Sequence, residues 1–334
     1  MEDDGITREM CLAVTMVFCS MESISNGSSL SWYHHLVGGA AALGADNAFM
    51  DLPAGSSGSS GSPSIRIPAF EGAWLLRNFA YHDIMMSVAM DQRPLLDGDY
   101  WILDEEQKAD PYFGLGSYIL YLVAEISHLN ADFTAEATPG AQQPCPRDCL
   151  HSKVQGHSVL LYHSEAPPRG AHFSSRARAI ETELQGWQCP TAYLGSQLEQ
   201  LANCYRSAGL LHLYRTLRKH TTGYDDVLRD KIYQNVDTIC AVTEQMPHGC
   251  LAECTLLFPL FLAGGEAKGT EQIKVIRERL LTLNRWRHFH NVETCLSVLD
   301  ELWRLRASEA RTRDSHPPDW SDVVKARGYT LSIT

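Results

Sequence analysis

The sequence predicts an all-α fold, a multi-helix, bundle-like domain, and three observations carry that prediction. Wherever a hydrophobic pattern exists it steps by threes and fours, as in Leu194, Leu198, Leu201, Tyr205, Ala208, Leu211 and Tyr214. Alternating apolar and polar runs bounded by turn dipeptides are scarce; the best of them, residues 157–163 (HSVLLYH), is short and isolated. The third observation is residues 256–267, LLFPLFLAGGEA, where large apolar side chains flank Pro259 and no charge intervenes before Glu266. The run is far shorter than the ~20 apolar residues that span a bilayer. It predicts a helix buried on all sides, with Ala263, Gly264 and Gly265 placed where a neighbour must come close.

Taken in order, the first element is residues 10–21, MCLAVTMVFCSM. Its leader is acidic, with Glu2, Asp3, Asp4 and Glu9 against Arg8 alone, whereas a secretion signal has a positive leader and a small-residue cleavage site. An ordinary buried helix of a soluble, intracellular protein is expected. Residues 54–64 (AGSSGSSGSPS) form a flexible linker with too little side chain to pack. Residues 70–91 and 112–130 are long, apolar helices, in which Met85, Met86 and Met90 fill core space. Residues 131–173, rich in Pro, Gly, Gln and His, predict a long, disordered surface excursion. After the helix within 191–220, the loop at Thr221, Thr222 and Gly223 leads into a new helix starting at Asp225. The last long helices follow the spacings of Ile273, Ile276, Leu280 and Leu283, then Val292, Cys295, Leu299 and Leu302. Helices on both sides of each break are expected to share one core, making residues 1–334 a single domain.

Composition narrows the function. The chain has 334 residues, 44% hydrophobic and 20% charged, which is ordinary for a globular protein. Its 28 Lys and Arg against 40 Asp and Glu give a formal net charge of −12. A protein that displaces phosphate counterions normally carries a basic patch. The short basic clusters 215–219 and 304–313 read as solvated helix faces, so direct DNA binding by this chain is not expected. Most of the ten cysteines sit inside apolar helical patterns, where a free thiol behaves as a small hydrophobe, and a reducing compartment fits.

Three constellations touch on chemistry. Cys145, Cys149, His151 and His157 (C-x3-C-x-H-x5-H) have zinc-ligand residue types, but the spacing is loose for a structural zinc site and the cluster reads as adventitious. Asp225, Asp226 and Asp230 imitate the magnesium-binding aspartates of all-α terpene cyclases. Directly after a loop, they read instead as acids complementing a helix N-terminus. His82 and Asp83, between Phe79 and Ile84, read as a satisfied core pair with no partner nucleophile. Phosphate-binding loop, dinucleotide fingerprint and nucleophile elbow are all missing from the sequence. No catalytic, cofactor-binding, metal-binding or DNA-binding residue is assigned, and no cofactor is expected.

Several segments, in order, resemble the helical regulatory domain of fungal binuclear zinc-cluster transcription factors, in particular the arginine, lysine and γ-aminobutyrate pathway regulators. Residues 31–43, SWYHHLVGGAAAL, resemble a "W-x-x-H-L-x-G-A" element through Trp32, His35, Leu36, Gly38 or Gly39, and Ala40, with one extra residue to accommodate. Phe79, His82 and Asp83 resemble an "F-x-x-H-D" helix, and residues 114–129 the helix that follows it. Residues 181–190 and 204–217 are similar to "L-x-x-W" and "Y-R-x-A-x-x-x-Y-L" elements. Residues 256–267, 291–303 and 319–331 match the C-terminal run, ending on a tryptophan helix and a "W-x-D-V" tail.

The resemblance implies a nuclear regulator of a metabolic or secondary-metabolite gene set. It would act through partners in the transcription machinery or related regulators, as a homo- or hetero-dimer, or by sensing a small-molecule effector. The family places a six-cysteine zinc cluster ahead of this domain, and none of the ten cysteines reproduces C-x2-C-x6-C. A direct DNA contact is therefore not carried over. A modulator that pairs with full-length regulators and an all-α lyase are the alternative expectations.

Overall fold

The computed structural model describes residues 8–25, 30–44, 70–97, 109–110, 113–137, 169–221, 225–309 and 318–334. Among these lie eleven α-helices and no strand, so the all-α class is borne out. Helices α1 (Arg8–Ser25) and α2 (Ser31–Gly44) form a hairpin that packs on α3 (Phe70–Ala89). After α4 (Ser117–Ala137) and α5 (Arg169–Gly186) comes the central helix, α6 (Gln197–His220). Against it pack α4, α5, α7 (Asp225–Gln245) and α8 (Leu257–Glu266). The remainder is α9 (Thr270–Arg287), α10 (His290–Glu309) and the short α11 (Trp320–Arg327), with α10 touching α8, α9 and α11.

The sequence explains the centre. Ser196 caps α6 by accepting the Glu199 N–H at 3.2 Å, satisfying a donor that the helix itself leaves free. Every residue from Ser207 to Thr216 is buried, so α6 is wrapped on all sides by its neighbours. All ten residues of α8 are buried too, as residues 256–267 predict. Pro259 is the third residue of that helix, where a backbone N–H has no intrahelical partner, so the ring removes no hydrogen bond. A Cβ on Gly264 would meet Leu299 Cδ1 at 2.6 Å, and one on Gly265 would meet Trp320 Cδ1 at 2.7 Å. These two glycines let α10 and α11 close onto α8, and Trp303 Nε1 seals the contact by donating to the Gly264 carbonyl at 2.9 Å.

Among the described residues there are two apolar cores. The larger gathers α3 to α11; the smaller joins Leu12, Met16, Trp32, Leu36, Leu76 and Phe79 from α1, α2 and α3. Met85 and Met86 are buried core side chains, as their sequence context predicts. The C-terminal tail connects the two regions. Leu331 and Ile333 sit in the larger core, Trp32 Nε1 donates to the Thr330 carbonyl at 3.3 Å, and Asn291 Nδ2 donates to the Thr334 carbonyl at 2.7 Å.

Three expectations need correction. Residues 10–21 are helical, but only one stripe of α1 is buried; Met10, Val14, Val17 and Met21 face outward. Residues 131–137 and 169–173 of the predicted excursion at 131–173 are helical, in α4 and α5, and residues 138–168 lie outside the described residues. His82 and Asp83 are each satisfied, though not by one another. His82 Nδ1 lies 2.9 Å from the Asn78 carbonyl, whereas Asp83 accepts the backbone N–H groups of Leu95 and Leu96 at 2.7 and 3.1 Å. Adjacent residues on a helix point about 100° apart, so this pair diverges by geometry. The linker at 54–64, the strand candidate at 157–163 and the cluster of Cys145, Cys149, His151 and His157 lie outside the described residues.

Candidate functional site

A dense charged constellation among the described residues surrounds the C-terminal end of α6. Cations suit that position, because the last helical carbonyls carry partial negative charge. Here Arg215, Arg218, Lys219 and His220 occupy it, and the expectation of a solvated basic face fails. Arg215 is 7% exposed. Its guanidinium donates in a fork to Asp319, Nε to Oδ2 and Nη2 to Oδ1, both at 3.1 Å. It also lies 4.5 Å from the Trp320 ring centroid and 3.5 Å from an Asp91 oxygen. Trp320 in turn packs edge-on against Phe261 of α8.

Asp319 has two roles. It caps α11, accepting the Ser321 N–H at 2.9 Å, while the Asp319 backbone N–H donates to the Asp322 carboxylate at 3.0 Å. Burial alone would raise its carboxyl pKa; the Arg215 cation and the hydrogen bonds outweigh burial and hold it at about 2.

Asp91 follows α3 with φ +56, a left-handed conformation uncommon for any residue but glycine. The Gln92 N–H closes the helix end on the Ser87 carbonyl at 3.0 Å. The Asp91 carboxylate accepts Lys219 Nζ at 2.6 Å and Asn130 Nδ2 at 2.9 Å. Asn130 Oδ1 can only accept, so His220 donates to it from Nε2 at 2.7 Å. Burial pushes the Asp91 carboxyl up, but Arg215 and Lys219 bring it below its ordinary value.

Two further cations complete the cluster. Arg218 grips the buried Glu266 in a fork at 2.9 and 2.6 Å, fixing the end of α8. Arg306 of α10 donates to the Pro318 carbonyl at 3.2 Å and to the Ala267 carbonyl at 3.5 Å. One turn before Arg215 on α6, His212 Nε2 lies 3.2 Å from Ser127 Oγ, and its Nδ1 has no hydrogen-bond partner among the described residues. Burial, reinforced by the Arg215 cation, lowers the His212 pKa to about 3, so the ring is neutral.

A second buried pair, missed from sequence, joins Arg279 of α9 to Glu253 at 3.1 Å. Glu253 also accepts the Gly249 N–H at 2.5 Å, and Arg279 donates to His248 Nδ1 at 2.9 Å. This pair fixes the 3-10 turn ahead of α8.

The chemistry of these groups is that of clamps. Carboxylates and guanidiniums neutralise each other across helix ends, and the one imidazole in the interior of the cluster is held neutral. Among the described residues, no group of three or more His, Cys, Asp or Glu is placed to hold a metal ion. Asp225 and Asp226 open α7, as their position after a loop predicts, and Asp226 pairs with Arg229 on an exposed surface. No helix among the described residues is long and apolar enough to cross a membrane.

These features define a class: a large all-α domain whose interior charges lock helix ends and a C-terminal segment into one arrangement. The chain belongs to the fungal specific transcription factor domain family, whose model matches residues 4–334. No curated protein and no solved structure matches the chain.

Proposed function

We propose that this chain is the regulatory domain of a fungal transcription regulator acting in the nucleus. It controls a metabolic or secondary-metabolite gene set through protein contacts or effector sensing, and it carries out no catalysis. The observation that carries the proposal is the family match, which spans residues 4–334 rather than one local motif. Within that family, the ordered elements from Trp32 to Trp320 support the arginine, lysine and γ-aminobutyrate regulator subgroup. The net charge of −12 supports a role that leaves DNA contact to other protein segments or partners.

The clamp supports a sensing role in physical terms. Asp91, Arg215 and Asp319 lie far apart in sequence, and their mutual attraction holds α3, α6 and α11 in register. A ligand or partner that binds the clamped arrangement better than a loosened one shifts the balance between them. Fusion of the chain to an unrelated DNA-binding domain upstream of a reporter gene tests the proposal. Reporter transcription should change, up or down, and the clamp variant Arg215→Ala should reduce the change. A reporter indifferent to the fused chain would count against a regulatory function.

The apolar outer face of α1 favours a second reading, a modulator that pairs with full-length regulators. In that case co-expression with a related regulator should lower the relative's output.

A further inference from the structure

We infer that residues 329–334 occupy a peptide-binding groove, in which an extended segment of a partner protein, with aliphatic side chains at alternate positions, exchanges with them. The tail sequence, YTLSIT, alternates: Leu331 and Ile333 are aliphatic, while Thr330, Ser332 and Thr334 carry hydroxyls. Gly328, with φ +63, ends α11, and the Tyr329 N–H closes the turn on the Val324 carbonyl at 3.1 Å. From there residues 329–334 run without helix or strand.

Side chains hold this segment by its backbone. The carbonyls of Thr330, Ser332 and Thr334, every second residue, accept from Trp32 Nε1 at 3.3 Å, Cys295 Sγ at 3.6 Å and Asn291 Nδ2 at 2.7 Å. Among the described residues, no backbone-to-backbone hydrogen bond holds residues 330–334. Leu331, Ser332 and Ile333 are each 1% exposed or less, so the segment lies in a groove rather than on a surface. Main-chain groups gripped at a two-residue repeat, with alternate side chains buried, are how an extended peptide of one protein is read by another.

Exchange follows from how the groove is built. Trp32 belongs to α2, and Asn291 and Cys295 belong to α10, so whatever fills the groove bridges the hairpin and the larger body. Only the Asn291 bond is short; the indole bond is long and a thiol is a weak donor. A tethered tail competes as though present at a concentration on the order of mM. It is therefore a selective plug, replaced by a segment that fits the Leu331 and Ile333 positions better. The inference rests on the reading that the chain works through protein contacts. Its tests involve no reporter gene, so either can fail alone.

Cys295 reports the exchange in the unaltered full chain. Burial pushes its thiol pKa well above the ordinary range and the Ser332 carbonyl lies against its sulfur, so alkylation requires the tail to leave. Iodoacetamide should label Cys295 at least about tenfold faster than Cys204, which is buried on the central helix, because local opening is easier than global unfolding. Synthetic YTLSIT peptide in large excess should refill the vacated groove and slow the labelling, whereas a peptide carrying Leu331→Asp and Ile333→Asp should not. Cys295 labelled no faster than Cys204, or labelled at a rate the peptide leaves unchanged, would overturn the inference. In the full chain, Ile333→Asp should free the groove. Fluorescence anisotropy should then show labelled peptide binding about 100-fold more tightly than to the plugged wild type, and Asn291→Ala added to that variant should weaken binding about tenfold. An Ile333→Asp chain that circular dichroism shows to be folded, yet takes up no peptide, would also overturn it.

Discussion

At the residue scale, Gly264 and Gly265 set how closely α10 and α11 approach α8. An added methyl on Gly264 would collide with Leu299 at 2.6 Å, inside any real contact distance, and a buried leucine between packed helices has little room to yield. Gly264→Ala is expected to cost about 1–3 kcal/mol, the usual cost of overpacking, despite alanine's better helix propensity. Urea denaturation followed by circular dichroism measures it, and a stabilised variant would show that propensity wins.

Arg215 carries the larger stake. Arg215→Ala leaves Asp319 and Asp91 without their guanidinium and is expected to cost about 3–5 kcal/mol, a large fraction of the ~5–15 kcal/mol typical of a domain. Arg215→Lys keeps a charge but loses the planar fork and the stacking on Trp320, so it should fall between the two. The sign of the acid response follows from the same residues. Asp319 has a folded pKa of about 2 against an ordinary 3.8, so its contribution is present above pH 3.8 and is lost as pH falls toward 2. His212 is held neutral, with a folded pKa of about 3 against 6.5; its protonation in the unfolded chain erodes stability from pH 6.5 downward to about 3. Stability should therefore decline steadily from neutral pH into acid. In Arg215→Ala the segment between pH 3.8 and 2 should flatten, because the cation that depresses Asp319 is gone.

At the scale of elements, what the sequence reveals depends on whether partners are local. Helix α8 is legible because its apolar run has no polar face and its small residues announce close neighbours. The start of α7 is legible locally too, in acids placed just after Thr221, Thr222 and Gly223 in the sequence. Helix α1 is legible as a helix but not in its placement. Two apolar stripes share one period on it, and nothing local says which turns inward; packing against α3 and α10 decides. The basic end of α6 misleads because its carboxylate partners are remote. Asp319 lies 104 residues beyond Arg215 and Asp91 lies 124 before it, so spacing within the helix cannot show that the cluster is buried. Asp83 is also half-legible: its burial follows from the apolar neighbours, whereas its hydrogen bonds to Leu95 and Leu96 depend on how the chain turns after α3.

At the scale of the whole molecule, two cores and one C-terminal segment make up the described fold. The tail passes from the Arg215 clamp, where α11 docks, to the Trp32 and Asn291 contacts that tie it to α2 and α10. Function follows from this body plan more than from any single reactive group. The family match covers the body, the interior charges among the described residues form clamps, and the outer face of α1 is apolar. The central proposal is that the chain regulates transcription through protein contacts, without touching DNA through its own residues. Fluorescence anisotropy of labelled duplex DNA, titrated with the purified 334-residue chain at low salt, tests that claim most directly. The account predicts no sequence-specific rise in anisotropy, since a body of charge −12 neutralises few phosphates and gains little from releasing their counterions. Tight binding to one sequence over a scrambled duplex would contradict it.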